Sequence, residues 1–195
     1  MRGTNGSGAF QADDSYIELL RAVVLCHPGW AAIHPITFAP GMRCAHAWLH
    51  WKENVFAPVL LPAMEGAHFA CAAGDCRALA AFDCAIDSAL PLEPGKASRR
   101  AGAALMEGYS APRSEKLWPR YRTLMISGEV PGHLAILCGL RAATFHLSSA
   151  AMTGAYIFLE AKGGLPRSGI ALWVSMVGDC LAVRRGLKNS NLRAA

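Results

Sequence analysis

The sequence predicts an all-α protein, a single-domain bundle of about seven to nine helices. Three observations carry that expectation. Apolar residues recur every three to four positions through most of the chain. Proline and glycine fall between those periodic segments rather than inside them. No run of residues alternates apolar and polar over strand length, and no internal repeat is present.

Taken in order, residues 1–12 read as a flexible lead, 13–187 as the helical domain and 188–195 as a basic tail. Ser15-Tyr16-Ile17-Glu18 is a capping box, and Ile17, Leu20 and Val24 continue behind it at helical spacing until Pro28. His27 to Gly41 is a loop rich in proline and glycine. A second helix is expected from Cys44 to Ala57, with Pro58 and Pro62 marking the start of a third that runs to Ala73. Gly74 closes it and Asp75 caps a fourth, whose stripe is Leu79, Phe82, Ile86 and Leu90. A fifth spans Lys96 to Tyr109, with Ala97, Ala101, Ala104 and Leu105 on a narrow face. Ser114 caps a sixth, bent by Pro119; a seventh runs from His133 to Phe145. Ser148 and Ser149 begin an eighth that ends at Gly163-Gly164, and Ser168 caps a ninth ending near Gly186.

Composition narrows the function classes. The chain has 195 residues, 53% hydrophobic and 17% charged, so it is neither disordered nor too small to bury a core. Its net charge is +5, with Arg184, Arg185, Lys188 and Arg193 near the end and no acid after Asp179. Such a tail suits nucleic acid or an acidic protein, but its plainer reading is a solvated end, and no nucleic acid is expected. Seven cysteines and no apolar leader after Met1 point to free thiols in a reducing, cytoplasmic setting. The uncharged run from Ala142 to Leu159 holds five polar side chains, and that from Ala22 to Met42 is broken by prolines, so no membrane span is expected.

The candidate chemistry is sparse. Cys44, His46 and His50 lie close together, and the i,i+4 histidines share a helix face, a spacing that suits one transition metal ion. Against it stands an ordinary amphipathic helix with histidines beside Trp48 and Trp51. Cys71, Cys76 and Cys84 form no paired zinc motif and read as buried thiols. Gly164 to Gly169 lacks the lysine of a phosphate loop, and no nucleophile elbow is present.

Residues from Leu60 onward resemble the UreF family. Leu61-Pro62, Ala67-His68 and Ala73-Gly74-Asp75 are similar to the middle of UreF proteins. Phe82-Asp83 followed by Ser98-Arg99-Arg100 and Gly102 resembles their aspartate helix, Ser-Arg pair and small-residue helix. Gly132-His133-Leu134-Ala135-Ile136 with Gly139-Leu140, then Ala155-Tyr156-Ile157-Phe158, complete the likeness across residues 53–160. The Leu-Pro-x-Gly start usual in the family is not reproduced between Leu25 and Met42.

The resemblance implies an all-α homodimer without bond chemistry of its own. It would join UreD (also called UreH) and the GTPase UreG on urease apoprotein during nickel insertion. Nickel would then be cargo, with no tightly bound cofactor. Ser98, Arg99, Arg100, Gly132, His133 and Tyr156 become the candidate partner-binding residues, and Cys44, His46 and His50 the candidate metal ligands. Two other readings stay open. One is a small metal-dependent enzyme built on Cys44, His46 and His50 with Glu53 as acid or base. The other is a helical interaction protein without urease partners.

Overall fold

A computed structural model describes residues 49–107 and 116–162. Within them the chain forms six helices and no strand. They are α1 (Leu49–Ala72), α2 (Cys76–Ala89), α3 (Leu92–Glu107), α4 (Leu117–Ser127), α5 (Leu134–Thr144) and α6 (Ser149–Lys162). The expected first and ninth helices lie outside the described residues.

The expected second and third helices are one element. Pro58 does not break α1, because Lys52–Leu60 is wound as a π-helix before the chain tightens into the α-helix Leu61–Ala72. The Leu61 N–H donates to Phe56 O, five residues back. The wider turn moves the carbonyl that a proline ring would strike in an α-helix. Pro62 sits in the first α-turn, where its missing N–H leaves nothing unpaired.

The other boundaries follow local chemistry. Asp75 caps α2, its Oδ1 accepting from the N–H of Arg77 (3.0 Å) and Ala78 (2.9 Å). Pro91 ends α2, and α3 begins at Leu92, four residues earlier than expected, with Pro94 tolerated in its first turn. Pro119 likewise falls in the first turn of α4, where its missing N–H costs no hydrogen bond. Ser114, the expected cap there, lies outside the described residues. Ser148 caps α6, its hydroxyl accepting from Ala151 N–H at 3.2 Å.

The core is built around α5. Every residue from Leu134 to Ala142 is buried. Helix α1 packs across it, α2 packs beside α1, and α3 and α6 flank α5. Gly139 sets the α1–α5 approach: a Cβ there would stand 2.7 Å from Met64 O and 2.9 Å from Ala67 Cβ. Helix α1 delivers Phe56, Leu60, Leu61, Met64, Ala67 and Ala70 to this core. Trp51 stacks on Phe56 at 5.2 Å between ring centroids, and Phe56 on Tyr156 at 6.4 Å. By length and composition alone α1 could cross a membrane. Its buried apolar side chains meet α5 and α2, Leu49 and Phe69 are exposed, and its second half carries Glu65 and His68.

On α3 the buried stripe is Gly95, Ser98, Ala101, Gly102, Leu105 and Met106. The expected narrow face is thus rotated: Ala101 and Leu105 are buried, Ala97 and Ala104 only half-buried. The stripe centres on the small residues because α3 lies against backbone rather than side chains, as the site below makes clear.

Candidate functional site

Three buried polar side chains, Asp83, Ser98 and His133, meet at one loop. Between α4 and α5 the chain turns through Val130-Pro131-Gly132-His133, and Gly132 has φ +77°, a conformation natural to glycine. Asp83 reaches this loop from α2 and is wholly buried. Its Oδ2 accepts from Gly132 N–H and from the Tyr121 hydroxyl, both at 2.6 Å, and its Oδ1 from His133 N–H at 2.9 Å. Three donors around one buried carboxylate offset the loss of its water. Burial and the nearby Asp83 together push the Tyr121 phenol far above its ordinary range, so it stays a donor.

Helix α3 grips the same loop from the other side. Ser98, also fully buried, accepts from Leu134 N–H at 3.2 Å through its hydroxyl and so satisfies one of the free amides at the start of α5. Gly102 lies against the loop backbone: a Cβ there would stand 1.8 Å from Gly132 O. No side chain fits between α3 and the loop.

His133 forms the link to the surface. Its ring is buried, with Nε2 3.0 Å from Asp87 Oδ1 and Nδ1 buried without a partner. The fitting tautomer is neutral, with Nε2–H donating to Asp87. Burial pushes the His133 pKa below its ordinary value, against the opposing pull of Asp83 and Asp87. The Arg99 guanidinium also donates to Asp87, whose carboxylate is partly exposed. A chain of contacts thus runs from buried Asp83 and His133 outward through Asp87 to Arg99. Arg100 is exposed beside it.

The six candidate partner residues therefore divide. Ser98, Gly132, His133 and Tyr156 are internal: the first three form the clamp on the loop, and Tyr156 stacks in the core on Phe56. Arg99 and Arg100 alone reach the surface. Residues that sequence reasoning did not single out are Asp87, Tyr121 and the clamping role of Asp83. A signal existed for Asp83: it falls between Leu79 and Ile86 on the apolar stripe of α2, where a lone acid needs buried donors.

Of the candidate metal ligands, Cys44 and His46 lie outside the described residues. His50 is exposed near the start of α1, its ring Nδ1 3.2 Å from Asn54 Nδ2. Among the described residues no three histidine, cysteine or acidic side chains are grouped to hold a metal ion. The expected buried thiols also divide: Cys76 is buried, Cys71 half-buried and Cys84 exposed.

Comparison with known proteins supplies the frame for this geometry. No curated protein and no solved structure matches the chain. The family model of UreF matches residues 43–164, more than half of the chain and the whole of the described helical core. With the all-α fold and the Asp83 clamp inside that span, the chain belongs to the UreF family of urease accessory proteins.

Proposed function

We propose that this chain is a non-catalytic adaptor that binds UreD (UreH) and the GTPase UreG on urease apoprotein during nickel insertion. The family match across residues 43–164 carries this reading. Its mechanism is geometric. The clamp formed by Asp83, Ser98 and Gly102 fixes the 130–133 loop, and the His133–Asp87–Arg99 chain fixes the Arg99–Arg100 edge relative to it. Arg100, exposed beside the paired Arg99, presents a fork that suits a carboxylate on a partner. Ser98, Gly132, His133 and Tyr156 act through that scaffold rather than by touching the partner. The protein works as a cytoplasmic homodimer.

Co-expression with UreD, UreG and urease subunits tests the reading. The adaptor co-purifies with UreD, and no UreG complex forms in its absence. A folded adaptor that captures neither protein overturns it. Nickel is cargo in this scheme, and its direct handling is assigned to Cys44, His46 and His50. Calorimetry with Ni²⁺ checks that assignment: the paired variant His46→Ala, His50→Ala loses the binding isotherm. An isotherm unchanged by the substitutions removes the assignment without touching the adaptor role.

A further inference from the structure

A second surface lies away from the Arg99–Arg100 edge. Where the start of α2 meets α4, Cys76, Arg77, Ala80, Arg120, Thr123 and Leu124 enclose an open groove of about 500 Å³. Its walls are almost wholly apolar, and two arginines, Arg77 and Arg120, are among the residues that line it. Arg77 and Arg120 are exposed and pair with no acid among the described residues. The nearest acid in sequence, Asp75, is occupied as the cap of α2, accepting from the Arg77 and Ala78 amides. The groove thus combines an apolar floor with two lining arginines that form no ion pair among the described residues.

We infer that this groove docks a short amphipathic segment of a partner protein, one with apolar residues on one face and Asp or Glu on the flanks. Charge complementarity selects that occupant. Two exposed arginines that form no ion pair among the described residues offer planar forks that exchange water for a partner's carboxylates. The floor of Ala80, Leu124 and Cys76 accepts aliphatic side chains but offers almost no polar group to orient a small polar ligand. An open trough fits the helix-in-groove mode of recognition. The chain itself is basic, with net charge +5, which favours an acidic partner over a second copy. This inference rests on the adaptor reading, whose partner it describes chemically.

The test needs no urease component, so the two readings fail separately. Two synthetic 14-residue amphipathic helices share a leucine face and differ in carrying glutamates or lysines on the flanks. Each is titrated into the full chain by fluorescence anisotropy, with sodium laurate as a small-molecule control. The glutamate peptide binds about tenfold more tightly than the lysine peptide, and the preference weakens with added salt. The paired variant Arg77→Glu, Arg120→Glu reverses the preference while its far-UV spectrum and melting temperature stay unchanged, since both residues are exposed. A second variant, Ala80→Trp, fills the floor and lowers binding of the glutamate peptide. Equal binding of the two peptides overturns the inference, as does a preference that survives the charge reversal. Laurate binding in place of peptide binding assigns the groove to a small amphiphile and overturns it. Self-association abolished by the charge reversal assigns it to a second copy, with the same consequence.

Discussion

Asp83 shows how one side chain can hold three elements. It sits on α2, takes the hydroxyl of Tyr121 from α4, and takes two amides from the turn before α5. Replacing it by asparagine leaves at least one of those donors facing an amide N–H₂ instead of an oxygen. The expected loss for Asp83→Asn is about 3 kcal/mol, a fall of roughly 10 °C in melting temperature for a domain of this size. Tyr121→Phe keeps the ring and removes one donor, so the expected loss is about 1.5 kcal/mol. Thermal melts of the two variants check both the order and the scale.

His133 adds a pH signature. Its folded pKa lies below the ordinary value of about 6.5. Above that value both folded and unfolded states hold a neutral ring, and the residue gives no pH dependence. As pH falls through about 6.5 the unfolded chain takes up a proton that the folded chain refuses. Stability attributable to His133 therefore drops on acidification, by at most about 1.4 kcal/mol per pH unit, until the folded pKa is reached. The checking measurement is the difference in urea-unfolding free energy between wild type and His133→Gln from pH 7.5 to 5. The wild type loses more stability over that range than the variant.

At the scale of elements, the glycines at crossings are as restrictive as the buried acid. Gly102→Ala places a methyl group inside the van der Waals radius of Gly132 O, so α3 or the loop must shift. Overpacking of this kind costs about 2–3 kcal/mol. A shift that takes the buried His133 ring off Asp87 removes a contact that raises its pKa, so the pH signature described above grows in Gly102→Ala. Gly95→Ala on the same helix, whose added Cβ meets nothing closer than 3.8 Å, is the control and changes little.

The helices themselves were legible in the sequence wherever periodicity and punctuation agreed. Asp75, Gly74 and Pro91 bracket α2 as expected, and His133 to Phe145 bounds α5 to within one residue at each end. The failures have a common physical origin. Pro58 reads as the start of a new helix because the proline rule assumes α-geometry, whereas a five-residue hydrogen-bonding reach accommodates the ring. The face of α3 was placed on its alanines because sequence alone does not show that a neighbouring backbone, not a side chain, fills the groove beside Gly102. Family likeness offers Gly132 and His133 as partner-binding residues, and position alone offers His133 equally as the cap of α5, where it stands without a side-chain capping bond. Their internal role became visible only with Asp83, 49 and 50 residues away in the chain. Such pairings depend on tertiary contact and leave no local pattern.

For the whole molecule, the division between an internal clamp and an exposed arginine edge separates stability from binding. Arg100→Glu alters a solvated side chain that makes no described ion pair, so the fold is unaffected. Capture of the proposed urease partners falls about tenfold, the scale of one interface anchor. Asp83→Asn reverses that pattern, lowering the melting temperature first and reducing capture only in proportion to the folded fraction. Quantitative pulldown at a temperature below both melting transitions distinguishes the two effects.

The π-wound stretch of α1 has its own consequence for how this chain tolerates length changes. Each turn there holds more residues than an α-turn, so the segment stores spare chain ahead of the core. Removing one residue between Lys52 and Ala57 would turn Trp51 around the helix axis by somewhat less than the ~100° per residue of an α-helix. Trp51 would then leave the Phe56 ring. A deletion within this stretch therefore acts on the Trp51–Phe56 stack as a rotation rather than a simple shortening.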